Sequence, residues 1–83
     1  MTTKQDIYNQ VRDILIKHLN VTEDQVQPDS DLVSNLGADT LDCVEIIMEM
    51  EEHFNIAIPE TDTANLFTTE QLSNYVCRRL GIK

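Results

Sequence analysis

Basic side chains are absent from most of this sequence. Between His18 and Cys77 the chain carries thirteen of its fifteen Asp and Glu residues and no Lys or Arg. Together with the net charge of −9, this distribution repels phosphate groups, so nucleic acid and anionic membrane surfaces are unfavourable partners. A basic protein surface would instead be attracted. The charge pattern therefore favours a protein partner.

Cysteine and long apolar runs are also scarce. Cys43 and Cys77 are too few for a disulfide framework, and their spacing matches no zinc-binding pattern, so we expect both thiols to stay reduced. No apolar run approaches the roughly 18 residues of a membrane span. The opening segment MTTKQDIYNQ lacks the continuous apolar region of a signal peptide. These features predict a cytoplasmic protein that does not insert into a membrane.

The length predicts one small domain covering residues 1–83, which we expect to be monomeric. A chain of this size buries only about 60–65% of its unfolded surface and rarely divides further. Its 41% apolar content is sufficient for a core, but a deep enzyme pocket is not expected.

Apolar spacing and capping residues predict an all-α fold, a four-helix bundle with one short helix and a long first loop. Helix one is expected over about 3–18, with Thr3 and Asp6 forming its capping box. The loop that follows should be pinned by apolar side chains and interrupted by a short turn near Thr22 and Gln25. Those apolar side chains are Val26, Leu32, Val33 and Leu36.

The remaining three helices follow from similar signals. Helix two is expected over about 40–54, a segment without Gly or Pro. A short third helix should begin at Pro59, and the fourth should open at Thr68 and stop at Gly81. In the fourth helix the inward positions are predicted to be Leu72, Tyr75, Val76 and Leu80. The segment IAI at 56–58 has no second strand with which to pair.

Helix two has apolar residues on two faces. One face can supply the core; its members are Cys43, Ile46, Ile47, Met50 and Phe54. On the opposite side, Leu41, Val44 and Met48 form a stripe at i, i+3 and i+7. Four acids border this stripe, namely Asp42, Glu45, Glu49 and Glu52. Two interpretations are open: a docking surface for a protein partner, or a surface covered by the long first loop.

Thr40 also has two interpretations. It can act as the N-cap of helix two, although Asp39 before it is another candidate. Alternatively its hydroxyl can carry a phosphate ester, because free N–H groups and the helix dipole favour an anion there. Gly37 would leave room for another chain to approach.

Nearly the whole chain resembles an acyl carrier protein. The similarity lies in DLVSNLGAD at 31–39, in the acidic helix LDCVEIIMEMEEHF at 41–54 and in Ile-Pro-Glu at 58–60. In that family a Gly-x-Asp-Ser-Leu motif presents a serine to which a phosphopantetheinyl transferase attaches 4'-phosphopantetheine. The thiol of this arm holds acyl intermediates as thioesters for the enzymes of fatty acid or polyketide synthesis. The resemblance implies a carrier rather than an enzyme.

By position, the resemblance places the attachment site at Thr40, with Asp39 and Leu41 as motif neighbours. It implies that the transferase and the acyl-chain synthases dock through basic surfaces on the acidic second helix. The implied contact residues are Leu41, Asp42, Val44, Glu45, Met48, Glu49 and Glu52. It also implies that an acyl chain shelters along the core face of helix two, beside Ile7, Val11, Ile58, Leu66 and Tyr75.

Threonine departs from the family's serine at this position. The added methyl group makes the alcohol secondary, crowds its attack on phosphorus and restricts χ1. We therefore expect slow or absent attachment at Thr40 and a largely unmodified protein. Such a chain is either a Ser-to-Thr variant or a natural protein with a changed role. The alternative function is an unmodified interaction module that binds a basic partner through the acidic second helix.

Enzyme and calcium-binding interpretations fit the sequence poorly. Cys43 and His53 are ten residues apart on one predicted helix, about 15 Å of rise, so they cannot pair there. An EF-hand loop beginning at Asp29 would require glycine at Ser34 and glutamate at Thr40. We expect neither a catalytic site nor a metal site.

Overall fold

The computed structural model describes residues 2–82, and its secondary structure is helical. The helices are α1 (Lys4–Leu19), α2 (Thr40–Phe54), α3 (Glu60–Thr63) and α4 (Thr69–Leu80), with a 3₁₀ turn at Glu23–Gln25. Within the described residues no strand forms, and a single isolated bridge joins Asp31 to Thr68. The predicted all-α fold with one short helix is confirmed. None of these helices is long and apolar enough to cross a bilayer.

The helix starts follow the predicted capping residues. The Thr3 hydroxyl accepts from the Asp6 N–H at 3.2 Å, and the Asp6 carboxylate accepts from the Thr3 N–H at 3.0 Å. Thr68 and Gln71 form the same reciprocal pair at the start of α4. Each box satisfies backbone donors that have no partner within the helix.

The core lies where α1 packs against both α2 and α4. Apolar side chains at helical spacing on these three helices meet there out of contact with water. The fully buried ones include Ile7, Val11 and Leu15 of α1, Ile46 and Met50 of α2, and Leu72 and Val76 of α4. The predicted core face of α2 is confirmed, with Cys43, Ile47 and Phe54 half-buried at its edges.

Two predicted core positions are wrong. Leu80 is exposed at the end of α4, because the chain turns back after Gly81. The Ile82 N–H donates to the Cys77 carbonyl at 2.8 Å, and Ile82 packs against the core instead. Val33 is exposed because residues 31–37 form helix-like turns in which Leu32 and Leu36 share the inward face.

The long first loop is attached to α4. The Leu32 N–H of the loop donates to the Phe67 carbonyl at 2.9 Å. In the other direction, the Thr69 N–H donates to the Ser30 carbonyl at 3.2 Å and the Glu70 N–H to the Pro28 carbonyl at 2.9 Å. The loop is thereby held against the start of α4 and does not fold over the outer face of α2. The interpretation in which this loop buries the α2 stripe is therefore wrong.

Candidate functional site

The loop that leads into α2 has a defined shape. The Asp31 carboxylate accepts from the N–H groups of Val33 and Ser34, both at 2.9 Å. Both hydrogen bonds lower the pKa of the Asp31 carboxyl group, the bond from Ser34 more than the bond from Val33. Gly37 follows with φ +75°, and an added Cβ there would meet no atom within 4 Å. The approach to α2 is thus set by local hydrogen bonds and has open space beside Gly37.

Asp39, not Thr40, is the N-cap of α2. The Asp39 Oδ1 accepts from the Asp42 N–H at 2.8 Å, and Asp42 Oδ2 accepts from the Asp39 N–H at 3.1 Å. Thr40 is the first residue of the helix and is exposed. Within residues 2–82 its hydroxyl has no hydrogen-bond partner, so the interpretation of Thr40 as the cap is wrong. Its hydroxyl remains accessible for other chemistry.

Removing the Asp39 carboxylate tests this assignment. We expect Asp39→Ala to lower the free energy of unfolding by about 1 kcal/mol, since an N-cap carboxylate replaced by a methyl group typically costs that amount. Urea unfolding followed by circular dichroism measures the change. Asp29→Ala is the matched control, because Asp29 is also exposed and its carboxylate caps no helix. Equal midpoints for the two variants would show that Asp39 does not stabilise α2.

The predicted stripe on α2 is open to solvent. Leu41 is 64% exposed, Val44 51% and Met48 59%. Around them Glu45 and Glu52 are exposed, and Asp42 and Glu49 are half-buried. We call the face formed by these seven residues the acidic stripe. Because it begins beside Thr40, the accessible hydroxyl and the exposed apolar side chains lie next to each other on one helix.

Sequence reasoning missed a contact that the acidic stripe makes with α1. The His18 ring lies 3.6 Å from Glu45 Oε2 through Nε2, and 3.5 Å from Glu49 Oε2 through Nδ1. Residue spacing alone indicates no such partner for His18. The sequence does place His18 in the basic last turn of α1. Its contact with Glu45 and Glu49, however, depends on how α1 and α2 pack.

The cysteines and histidines do not assemble into a reactive group. Burial, with added repulsion from Asp42, raises the pKa of the Cys43 thiol, which disfavours the nucleophilic thiolate. Cys77 is buried. His53 Nε2 lies 2.8 Å from the Gln10 side-chain oxygen, on the side of α2 that faces α1. The residues described by the structure include no group of three or more His, Cys, Asp or Glu side chains arranged to hold a metal ion.

Comparison with known proteins shows which family this chain is similar to. Residues 9–82 match the family model described as "Phosphopantetheine attachment site". The acyl carrier protein of Chlorobium phaeovibrioides is 38% identical over 77 residues, which span 93% of this chain and 99% of that protein. Those of Campylobacter lari and Bdellovibrio bacteriovorus are each 39% identical over 70 residues, 84% of this chain and 91% and 90% of theirs.

The chain therefore belongs to the acyl carrier protein family. Members of this family are carriers without catalytic activity of their own, they hold 4'-phosphopantetheine, and they serve fatty acid biosynthesis.

The surroundings of Thr40 fit this arm in position and access. The hydroxyl is exposed, and open space lies beside Gly37. The N–H groups of Thr40 and Leu41 are in the first helical turn, where no intrahelical acceptor exists, so they can face a phosphate bonded at Thr40 Oγ1. When bound, the arm would supply a thiol that forms thioesters. Thr40 would contribute the attachment oxygen, and the acidic stripe would form the surface beside it.

Proposed function

We propose that this protein is built as a carrier, which would hold acyl intermediates as thioesters on an arm at position 40 and present them to enzymes of fatty acid or polyketide synthesis, with slow attachment because position 40 is threonine. The observation that carries the proposal is the placement of an accessible, unbonded hydroxyl at the start of the acidic stripe. A carrier needs a point of attachment and a surface that several enzymes can recognise. Both lie here on one helix of one chain.

The acidic stripe supports docking by basic, partly apolar protein surfaces. Exposed side chains of Leu41, Val44 and Met48 offer apolar contact, and Met48 can adapt to differently shaped partners. The surrounding carboxylates would steer and orient a basic partner. We infer that a phosphopantetheinyl transferase and acyl-chain synthases bind this face of a monomeric, cytoplasmic protein. Asp39 and Leu41 would be the arm's immediate neighbours.

The interior supports a place for an acyl chain. The apolar cluster that packs on the inner face of α2 includes the buried side chains of Ile7, Val11 and Ile58 and the half-buried side chain of Leu66. Their side chains are aliphatic, so small shifts of the helices could admit a chain without breaking polar contacts. Tyr75 is buried beside them, with its hydroxyl donating to Asp62 at 2.6 Å.

The threonine at position 40 favours a second candidate function. A secondary alcohol is a poor nucleophile in a site shaped for a primary one, so the protein would remain largely unmodified. In that state the acidic stripe is still exposed and can bind a basic partner. The second candidate is therefore an interaction module that acts without the arm.

Purification of a Thr40→Ser chain from cells that contain a broad-specificity transferase tests the carrier function. We expect an intact mass raised by one phosphopantetheine, with a fraction carrying an acyl group that hydroxylamine removes. Thr40→Ala is the control, and it should stay folded because Asp39 supplies the cap. A modified Thr40→Ser chain with no thioester-bound acyl group would contradict the carrier function. If the unmodified wild type also retained a basic partner through the acidic stripe, the interaction module would be favoured.

A further inference from the structure

His18 makes contact with two acids of the proposed docking face. Its ring lies within 3.6 Å of one carboxylate oxygen of Glu45 and one of Glu49. The His18 side chain is only 19% exposed, whereas both glutamates remain partly open to solvent. A single ring on α1 thus faces the two acids that stand one helical turn apart on α2.

The groups around His18 are almost all acidic. Glu45, Glu49 and Glu52 line the same shallow depression as His18, and Met48 supplies its apolar side. From α1 itself the neighbouring charge is the exposed Lys17. The other side-chain ion pair formed within residues 2–82 joins Arg12 to Glu23, away from the acidic stripe. In the described part of the chain, His18 is therefore the basic side chain that lies within ion-pair distance of α2 acids.

Histidine changes charge between about pH 5 and pH 8, which makes this contact conditional. A protonated ring would attract both carboxylates and partly neutralise them. A neutral ring would leave them fully available to a lysine or arginine of another protein. In the second case the aliphatic stem of that side chain could lie against Met48 in the same depression.

We propose that the protonated His18 ring competes with a basic docking partner for the carboxylates of Glu45 and Glu49. At lower pH the ring would pair with both carboxylates, and at higher pH it would leave them to the partner. The proposal rests on the docking function proposed above and adds its regulation. Docking would weaken as the pH falls from 8 to 6, because a positive charge gained at His18 would pair with the carboxylates that the partner binds. His18 acts here through the two glutamates and does not itself need to touch the partner.

The expected change in docking affinity is small because the ion pairs of His18 are partly exposed. Such pairs contribute little individually, so releasing two carboxylates from His18 should strengthen docking by about two- to fivefold at pH 6. A neutral ring competes weakly, so removing the ring is expected to have little effect at pH 8. The difference between the two pH values, rather than the affinity at either one, is the signature of competition.

The test measures binding of the unmodified protein to a broad-specificity phosphopantetheinyl transferase by titration calorimetry at pH 8 and pH 6 in low salt. The variants are wild type, His18→Gln and, as the matched control, His53→Gln. His53 is the second histidine and pairs with Gln10 rather than with the acidic stripe. Comparing variants at the same pH removes the transferase's own pH dependence.

We expect equal binding by all three proteins at pH 8. At pH 6, His18→Gln should bind two- to fivefold more tightly than wild type, and His53→Gln should match wild type. Equal affinities of wild type and His18→Gln at pH 6 would overturn the proposal while leaving docking intact. Absence of binding by every protein at pH 8 would instead overturn the docking function and the proposal with it.

A second set of variants covers a folding failure at position 18. In Glu45→Gln/Glu49→Gln, both targets of the ring are neutral, so the wild-type fall in affinity between pH 8 and pH 6 should shrink by the same two- to fivefold factor. If the double variant loses affinity between pH 8 and pH 6 as steeply as wild type does, competition for these carboxylates is excluded. Circular dichroism of each variant verifies the helical fold at both pH values.

Discussion

Thr40→Ser is expected to receive the phosphopantetheine arm about 10²-fold faster than the wild-type chain. The change removes one methyl group, converts a secondary alcohol to a primary one and frees χ1. Misplacing a reacting atom by about 1 Å can cost 10²-fold in rate, and the Thr40 methyl group would displace the hydroxyl or the incoming phosphorus. Because the Thr40 hydroxyl has no hydrogen-bond partner within residues 2–82 and Asp39 forms the cap, the substitution should leave α2 unchanged.

The measurement is intact mass against time, with a broad-specificity transferase and coenzyme A in excess. Wild type should remain mostly unmodified over the period in which Thr40→Ser is converted completely. Thr40→Ala controls for attachment elsewhere and should gain no mass. Rapid, complete addition of one arm to the wild-type chain would show that the secondary alcohol is no obstacle, and the expectation of a largely unmodified protein would be wrong.

Val44→Arg should weaken binding to a basic partner by about 30-fold or more. Val44 lies in the middle of the acidic stripe and is 51% exposed. Arginine there removes apolar contact and places a positive charge against a positive surface, and central interface positions commonly contribute about 2 kcal/mol or more. Glu45→Lys should act in the same direction. Affinity for the transferase, measured by calorimetry with unmodified protein, gives the result.

Val33→Arg is the matched control for this charge substitution. Val33 is also an exposed valine, 58% accessible, but it lies on the first loop rather than on α2. The two variants have the same composition and net charge, so non-specific electrostatic effects should be equal. A loss of affinity in Val33→Arg as large as in Val44→Arg would show that charge alone, and not the acidic stripe, determines binding.

Local signals in the sequence predicted the helices well because the chain uses side chains to cap them. Thr3 with Asp6 and Thr68 with Gln71 mark the starts of α1 and α4, and the structure forms both boxes. The two apolar faces of α2 were likewise visible from residue spacing alone. What spacing could not decide was whether the outer face is covered, since that depends on the path of the first loop.

The errors arose where tertiary contacts or short turns override the periodic pattern. Leu80 continues the spacing of α4, but Ile82 folds back and packs on the core instead. Asp39 and Thr40 are both good capping residues, and only the observed geometry selects the first. The contact of His18 with Glu45 and Glu49 joins residues far apart in sequence, so no local pattern indicates it.

Amide NMR of the ¹⁵N-labelled, unmodified protein, titrated with the transferase at pH 8, would locate the contact surface. Docking on the acidic stripe predicts signal changes concentrated at Leu41, Val44, Met48 and their acidic neighbours, with α4 largely unaffected. Changes confined to α4 or to the first loop, with these α2 signals unmoved, would contradict the proposed docking surface.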